Sequence, residues 1–240
     1  MNISKFTKMA RKVLKVPCCG AVIVAAGNAS RMGGIDKVMA PLGGEPMIVK
    51  SVRTFQSSDA IQEIVIVTRQ DLLVPIMDLC HGFDKVTTVI TGGASRPESV
   101  EKGLRALSDR VKLAAIHDGA RPLVTWQVID RTVRAAASYG AAAPAVPVKD
   151  TIKVVKGGIV ADTPDRSQLQ AVQTPQIFDI DLLRSALKKA ADDGAQITDD
   201  CSAVERMGMS VRMVEGDERN IKVTTPMDLK IAELLMEEMA

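Results

Sequence analysis

Short apolar runs alternate with helix-like stretches along this chain from residue 20 to about residue 147. The runs at 20–24 (GAVIV), 63–68 (EIVIVT), 85–90 (KVTTVI), 112–117 (KLAAIH) and 141–146 (AAAPAV) predict strands. Between them, 47–55, 71–80, 97–107 and 125–138 predict helices. This alternation predicts an α/β fold, a Rossmann-like and mostly parallel sheet with helices on both faces and right-handed crossovers. In such sheets ligands sit beyond the carboxyl ends of the strands. The residues that follow each strand therefore carry the functional reading.

Near residue 150 the pattern changes. The stretch 150–155 (DTIKVV), a Lys156-Gly157-Gly158 turn and 159–162 (IVAD) predict a β-hairpin, polar on one face and with no helix beside it. A lone two-stranded hairpin is marginal in water. It must lean on something else, and a second copy of the chain is the obvious candidate. Further on, helices are predicted at 182–190 and 199–207 and a strand at 211–214. A last helix opens at Thr225-Pro226-Met227-Asp228, with an N-cap, a proline at the first position and an acid in the first turn. The expected organisation is a basic extension over 1–19 and one domain over 20–240, with a β-arm at about 148–170.

Composition narrows the function. Hydrophobic residues make up 46% of the 240, enough for a large core, but aromatics only 2%. Lys and Arg number 31 against 29 Asp and Glu, a net charge of +2. That balance argues against nucleic acid as a partner, and the aromatic shortage removes base-stacking platforms. A small anionic ligand in a local basic cleft remains compatible. No apolar stretch approaches the length of a membrane span. The first 17 residues carry Lys5, Lys8, Arg11, Lys12 and Lys15 without an acid, and Ile3, Phe6, Met9 and Val13 fall near helical spacing. They read as a solvated extension or a basic amphipathic helix, and lack the apolar core of a secretory signal. Cys18, Cys19, Cys80 and Cys201 lack zinc-ligand spacing and read as reduced, mostly buried thiols of a cytoplasmic protein.

The chemistry concentrates in the loop 25–37 (AAGNASRMGGIDK). A strand emptying into small residues leaves backbone N–H groups free to face an anion, and Arg31 and Lys37 set two cations over it. The spacing is neither of the two common phosphate fingerprints. The residue two after Gly27 is Ala29, which breaks G-x-G-x-x-G, and Lys37 lies three past Gly34 and precedes Val38, which breaks the P-loop. After the third strand comes Gly92-Gly93-Ala94-Ser95-Arg96-Pro97-Glu98-Ser99, where Ser95 and Glu98 predict a capping box. After the fourth comes Asp118-Gly119-Ala120-Arg121-Pro122. Asp118 suits a ligand to Mg²⁺ or to a ribose hydroxyl, its alternative use being a turn or helix cap.

These segments resemble the 2-C-methyl-D-erythritol 4-phosphate cytidylyltransferases of the non-mevalonate isoprenoid pathway over roughly residues 20–238. The resemblance rests on 25–37, 92–100 (GGASRPESV), 117–122 (HDGARP), the run from VPVKDTIK (146–153) through TPDR (163–166) to QTPQ (173–176), ITDDCSAVE (197–205) and NIKVTTPMDL (220–229). It implies transfer of CMP from CTP to a polyol phosphate by in-line attack on the α-phosphorus, with Mg²⁺ as the divalent cofactor. It implies Arg31, Lys37 and Lys222 as catalytic cations, and Ala25, Ala26, Gly27, Gly93, Ser99, Asp118 and Gly119 around CTP. Asp118 would also bind the metal. Arg121, Thr151 and Thr174 would hold the methylerythritol phosphate. Arg166 would reach the substrate of the opposite subunit from an arm exchanged across a homodimer.

The chain departs from the family pattern in places. Asn28, Ala29 and Ser30 stand where glycine and extra arginine are common, Asp36 where proline often precedes the lysine, Ala94 where an acid is common and Gly119 where alanine is. Asp36 beside Lys37 would subtract from the positive charge of the loop, bearing on CTP affinity more than on chemistry. Two other readings compete: a ribitol-5-phosphate cytidylyltransferase, which shares the CTP half of the site, and a nucleotide-binding regulator without chemistry.

Overall fold

A computed structural model describes residues 16–27 and 36–238. Nearly all of the basic N-terminal segment, read as a solvated extension or an amphipathic helix, and the position of Arg31 lie outside these residues. In chain order the first half comprises β1 (Cys19–Ala25), β2 (Pro41–Leu42), β3 (Glu45–Pro46), α1 (Met47–Ser57), β4 (Glu63–Thr68), α2 (Leu73–Cys80), β5 (Val86–Thr91), α3 (Arg96–Ala106), β6 (Leu113–Asp118) and α4 (Trp126–Tyr139). The second half comprises β7 (Ala141–Pro147), β8 (Val154–Lys156), β9 (Ile159–Asp162), β10 (Gln170–Val172), β11 (Gln176–Asp179), α5 (Ile180–Asp192), α6 (Asp200–Glu205), β12 (Arg212–Glu215) and α7 (Pro226–Glu237).

β1 is central and pairs in parallel with β4 on one side and β6 on the other, with β5 outside β4. β11 runs antiparallel between β6 and β7, and β12 adds in parallel to β7. The predicted mostly parallel α/β sheet is thus present. β10 and β11 both lie antiparallel along β7 and are broken only at residues 173–175, where the Thr174–Pro175 bond is cis.

Alternation along the strands splits the core between two faces. Ala21 and Ile23 of β1, Ile64 and Ile66 of β4 and Ala115 of β6 pack with Val52, Phe55, Val128 and Val133 of α1 and α4. Val22, Val65, Val67 and Ile116 face the other way, against Val100 and Leu104 of α3 and Leu183 of α5. Contact there is close: a Cβ on Gly103 of α3 would stand 2.3 Å from Val22 Cγ1. Met47, Leu42, Val223 and Ala232 form a smaller cluster that seats α7.

The predicted hairpin forms between β8 and β9, shorter at its start than expected, and its turn is Gly157–Gly158, with φ of +56° and +81°. Ile152, Val155, Ile159 and Val160 along it are exposed. No helix of the described residues is long and apolar enough to cross a membrane. All four cysteines are free thiols, and burial pushes that of Cys80 up to about 11.

Candidate active site

Every strand of the parallel core delivers its carboxyl end to one cleft of about 430 Å³. After β1, Ala25, Ala26 and Gly27 form one wall, with Lys37 above them: its Nζ lies 3.7 Å from where a Cβ on Gly27 would stand. After β4 comes Arg69, after β5 the segment 93–96 with Ser99, and after β6 Asp118 and Ala120. Lys222 enters from the segment before α7.

Glycine is required where the β5 loop folds back. A Cβ on Gly93 would meet Glu98 Cβ at 2.4 Å, and Gly93 N–H donates to Ser99 Oγ at 3.0 Å. Ser99 Oγ in turn donates to the Ser95 carbonyl at 2.9 Å. The predicted cap is present, since Ser95 Oγ accepts from Glu98 N–H. The Glu98 carboxylate reaches one residue further back than expected, accepting from Ala94 N–H at 3.0 Å.

Asp118 is the electrostatic centre and, among the described residues, the one acid lining the cleft. Its Oδ2 lies 2.6 Å from Lys222 Nζ and its Oδ1 3.3 Å from Arg96 Nη2. Burial alone would push this carboxyl up, but Arg96 and Lys222 outweigh it and hold the group well below the usual carboxylate range. It is ionised at any physiological pH. Arg96 also pairs with Asp200 at the start of α6, Nη1 to Oδ2 at 2.9 Å.

The wall beyond Asp118 is set by a buried histidine. His117 Nε2 lies 3.2 Å from the Arg121 carbonyl and Nδ1 3.0 Å from Thr174 Oγ1. A carbonyl only accepts, so Nε2 carries the ring proton and Nδ1 accepts from the Thr174 hydroxyl. Thr174 Oγ1 also accepts from Asp118 N–H at 3.1 Å. The proton of Thr174 is therefore committed to His117, and toward a ligand this hydroxyl can only accept. Burial pushes His117 down to about 4, so the ring is neutral.

Other predicted residues stand further out. Gly119 turns away toward α1: its N–H donates to Val24 O at 2.9 Å and its carbonyl accepts from Ser51, and Ala120 lines the cleft instead. Arg121 is largely buried, donating from Nη1 to the Asn220 carbonyl at 2.7 Å, while its Nε has no hydrogen-bond partner among the described residues. Thr151 and Arg166 are exposed and do not border the cleft, Arg166 donating to the Lys149 carbonyl at 2.6 Å. Sequence reasoning missed Arg69, Arg96 and Asp200. Arg69 directly follows β4, the one core strand whose end received no scrutiny.

Fold and cleft together define an α/β enzyme of the nucleotidyltransferase kind, with cations and a single carboxylate gathered at strand ends. The model of the 2-C-methyl-D-erythritol 4-phosphate cytidylyltransferase family matches residues 19–238, and the chain belongs to that family. A protein of that name from Symbiobacterium thermophilum is 46% identical over 229 residues, covering 95% of this chain and 96% of the relative. Another, from Bacillus velezensis, is 46% identical over 219 residues, covering 90% and 94%. Among solved structures, the 4-diphosphocytidyl-2C-methyl-D-erythritol synthase of Anaerococcus prevotii superposes with a TM-score of 0.85 at 28% identity, covering 93% of this chain and 98% of that one. The Thermus thermophilus cytidylyltransferase gives 0.75 at 31%, covering 90% and 98%.

Proposed function

We propose that this chain transfers CMP from CTP to 2-C-methyl-D-erythritol 4-phosphate, releasing pyrophosphate, in the non-mevalonate route to isoprenoid precursors. The observation that carries this reading is the Asp118–Lys222 pair, 2.6 Å apart, in a strand-end cleft that Lys37 also borders. An oxygen of the acceptor phosphate attacks the α-phosphorus in line, and the bond to the pyrophosphate oxygen breaks. No covalent intermediate on the protein is needed, so the work is positioning and charge stabilisation. Lys37 faces the charge gathering on the leaving pyrophosphate, and the family resemblance gives Arg31 the same role. Lys222, paired with Asp118, faces the same charge from the segment before α7.

Ala25, Ala26 and Gly27 offer backbone to the phosphates, Gly93 and Ser99 a rigid turn against the base, and Asp118 an acceptor for a ribose hydroxyl. A divalent ion such as Mg²⁺ fits on limited terms. Among the described residues no three His, Cys, Asp or Glu cluster as a metal site, but an ion carried on triphosphate oxygens asks the protein for one or two carboxylates, and Asp118 is ionised. When bound, Mg²⁺ supplies neutralisation of the triphosphate charge. Arg121 and Thr174 border the acceptor side. Thr151 and Arg166, remote from the cleft of their own chain, serve a second copy through an exchanged arm.

The test is pyrophosphate release by the purified chain with Mg²⁺, CTP and methylerythritol phosphate, beside ribitol 5-phosphate and beside ATP, GTP and UTP. Release confined to CTP with methylerythritol phosphate is expected. Release with ribitol phosphate would reassign the acceptor, and no release would leave a nucleotide binder.

A further inference from the structure

The segment ITDDCSAVE places in this cleft's electrostatics a residue that never reaches the cleft. Asp200 is fully buried, with Arg96 Nη1 2.9 Å from its Oδ2 and no other partner for either carboxyl oxygen among the described residues. Its backbone is locked: Asp200 N–H and Cys201 N–H both donate to Gln176 Oε1 at 3.1 Å. Gln176 Nε2 donates to Asp199 Oδ2 at 2.7 Å, and Asp199 closes a capping box with Ser202. So rigid a mounting for a carboxylate with a single partner has a cost, because burying a charge penalises folding. Burial accordingly pushes the Asp200 carboxyl up, against the pull of Arg96.

We infer that Asp200 is a positioning residue for nucleotide binding: by holding one end of the Arg96 guanidinium, it fixes the share of Arg96 that reaches Asp118 and leaves the other Asp118 oxygen to Lys222. The four side chains alternate in sign from the interior to the cleft. Without the buried acid, Arg96 would be free to pair fully with Asp118, drawing it away from Lys222 and from the nucleotide. Displacements of about 1 Å at a reacting centre cost up to about 10²-fold in rate. The inference rests on the proposed CTP site but not on the identity of the acceptor.

The experiment compares Asp200→Asn, Arg96→Gln and the double variant for thermal midpoint, for CTP·Mg²⁺ dissociation constant by calorimetry, and for turnover. Arg96→Gln leaves Asp200 buried without its counter-ion and is expected to lower the midpoint, which the double variant restores. If Asp200 positions Asp118, folded Asp200→Asn binds CTP about tenfold more weakly with the acceptor KM unchanged, and the double variant recovers its midpoint without recovering CTP affinity. Wild-type CTP affinity in either Asp200→Asn or the thermally restored double variant would overturn the inference and leave a purely structural ion pair. Should Asp200→Asn fail to fold, the double variant decides. A wild-type chain that binds CTP without turnover would sink the proposed function while leaving this comparison intact.

Discussion

Arg69 closes onto Asp36. Its Nη1 ion-pairs with Asp36 Oδ2 and also donates to the Gly27 carbonyl at 3.4 Å, while Val38 N–H donates to the other Asp36 oxygen at 2.9 Å. Asp36 is therefore neutralised, and its second oxygen sets the turn that carries Lys37. The expected loss of positive charge at this loop is offset by an arginine from another strand end. Hydrogen bonds that Arg69 donates to Asp71 and Asp36 also hold its guanidinium above its ordinary range.

Arg69→Ala should therefore act through affinity. It leaves Asp36 unpaired beside Lys37, and we expect the KM for CTP to rise about tenfold, or about 1.4 kcal/mol, with a smaller change in kcat. The double variant with Asp36→Asn should recover most of this loss, because it removes the exposed charge and keeps a turn-forming side chain. Steady-state kinetics against CTP concentration checks both. A pure kcat effect would mean that Arg69 acts on the transition state instead.

Lys37 and Lys222 should behave in the opposite way. Each Ala variant is expected to lose about 10²–10³ in kcat, the usual cost of deleting one group that stabilises transition-state charge. CTP binding measured by calorimetry should fall far less. A chain that only binds nucleotide would lose affinity alone, so equal losses in both quantities would count against catalysis.

His117 sets a pH limit on stability. The ring is held at about 4 in the fold against an ordinary 6.5, so the unfolded chain binds more protons between these values. The stabilisation is complete above pH 6.5 and is lost as pH falls toward 4, up to about 3 kcal/mol for a fully buried group. His117→Asn keeps an acceptor for the Thr174 hydroxyl but cannot titrate. Urea unfolding from pH 7 to 4.5 should show a flatter profile for the variant. Parallel profiles would mean that the histidine does not stay neutral.

Gly103→Ala should destabilise although alanine is the better helix former. The helix propensity gain is about 1 kcal/mol, but the added methyl would meet Val22 Cγ1 at 2.3 Å and Val67 Cγ2 at 3.0 Å. Overpacking of this kind costs about 1–3 kcal/mol, and for a chain of this size a net loss of 1 kcal/mol lowers Tm by about 2–4 °C. Scanning calorimetry reads the sign directly.

The arm carries a prediction about assembly. With Ile152, Val155, Ile159 and Val160 exposed on a two-stranded hairpin, the chain should sediment as a dimer at micromolar concentration. Replacing 154–162 by a short glycine-serine link should give a monomer. A wild-type monomer would defeat exchange of the arm, and with it the roles given to Thr151 and Arg166.

The parallel core was legible because β1, β4 and β6 are buried on both faces and read as nearly continuous apolar runs, and edge strand β5 keeps a β-branched run of Val, Thr and Ile. β1, β4, β5, β6 and β7 fall within one residue of their predicted bounds. β10 and β11 were invisible. They are three and four residues long, separated by residues 173–175, and take their pairing from β7 and, for β11, from β6 rather than from any pattern of their own. The cleft was legible as far as strand ends reveal it. Looking past β4 would have found Arg69 by the same rule that found Asp118. The link from Arg96 to Asp200 could not be read in this way, since it joins residues far apart in sequence through packing of α3 on α5 and of α5 on α6. Nor could sequence show that the Thr174 hydroxyl is already committed to His117.

One consequence follows from how the sheet handles the arm. The chain leaves β7 at Pro147 and returns at Gln170, and these two residues face each other across the ladder. The detour is closed at this rung, with one further surface tie from Lys149 to Glu218 at 2.6 Å, and its length enters only weakly into the entropy of closing it. The tip beyond β8 and β9 can be lengthened without shifting one residue of the strand-end cleft, whereas Thr151 and Arg166 sit on the detour itself. Oligomer geometry and the acceptor contacts proposed for Thr151 and Arg166 thereby change together, while the nucleotide half of the site is left alone.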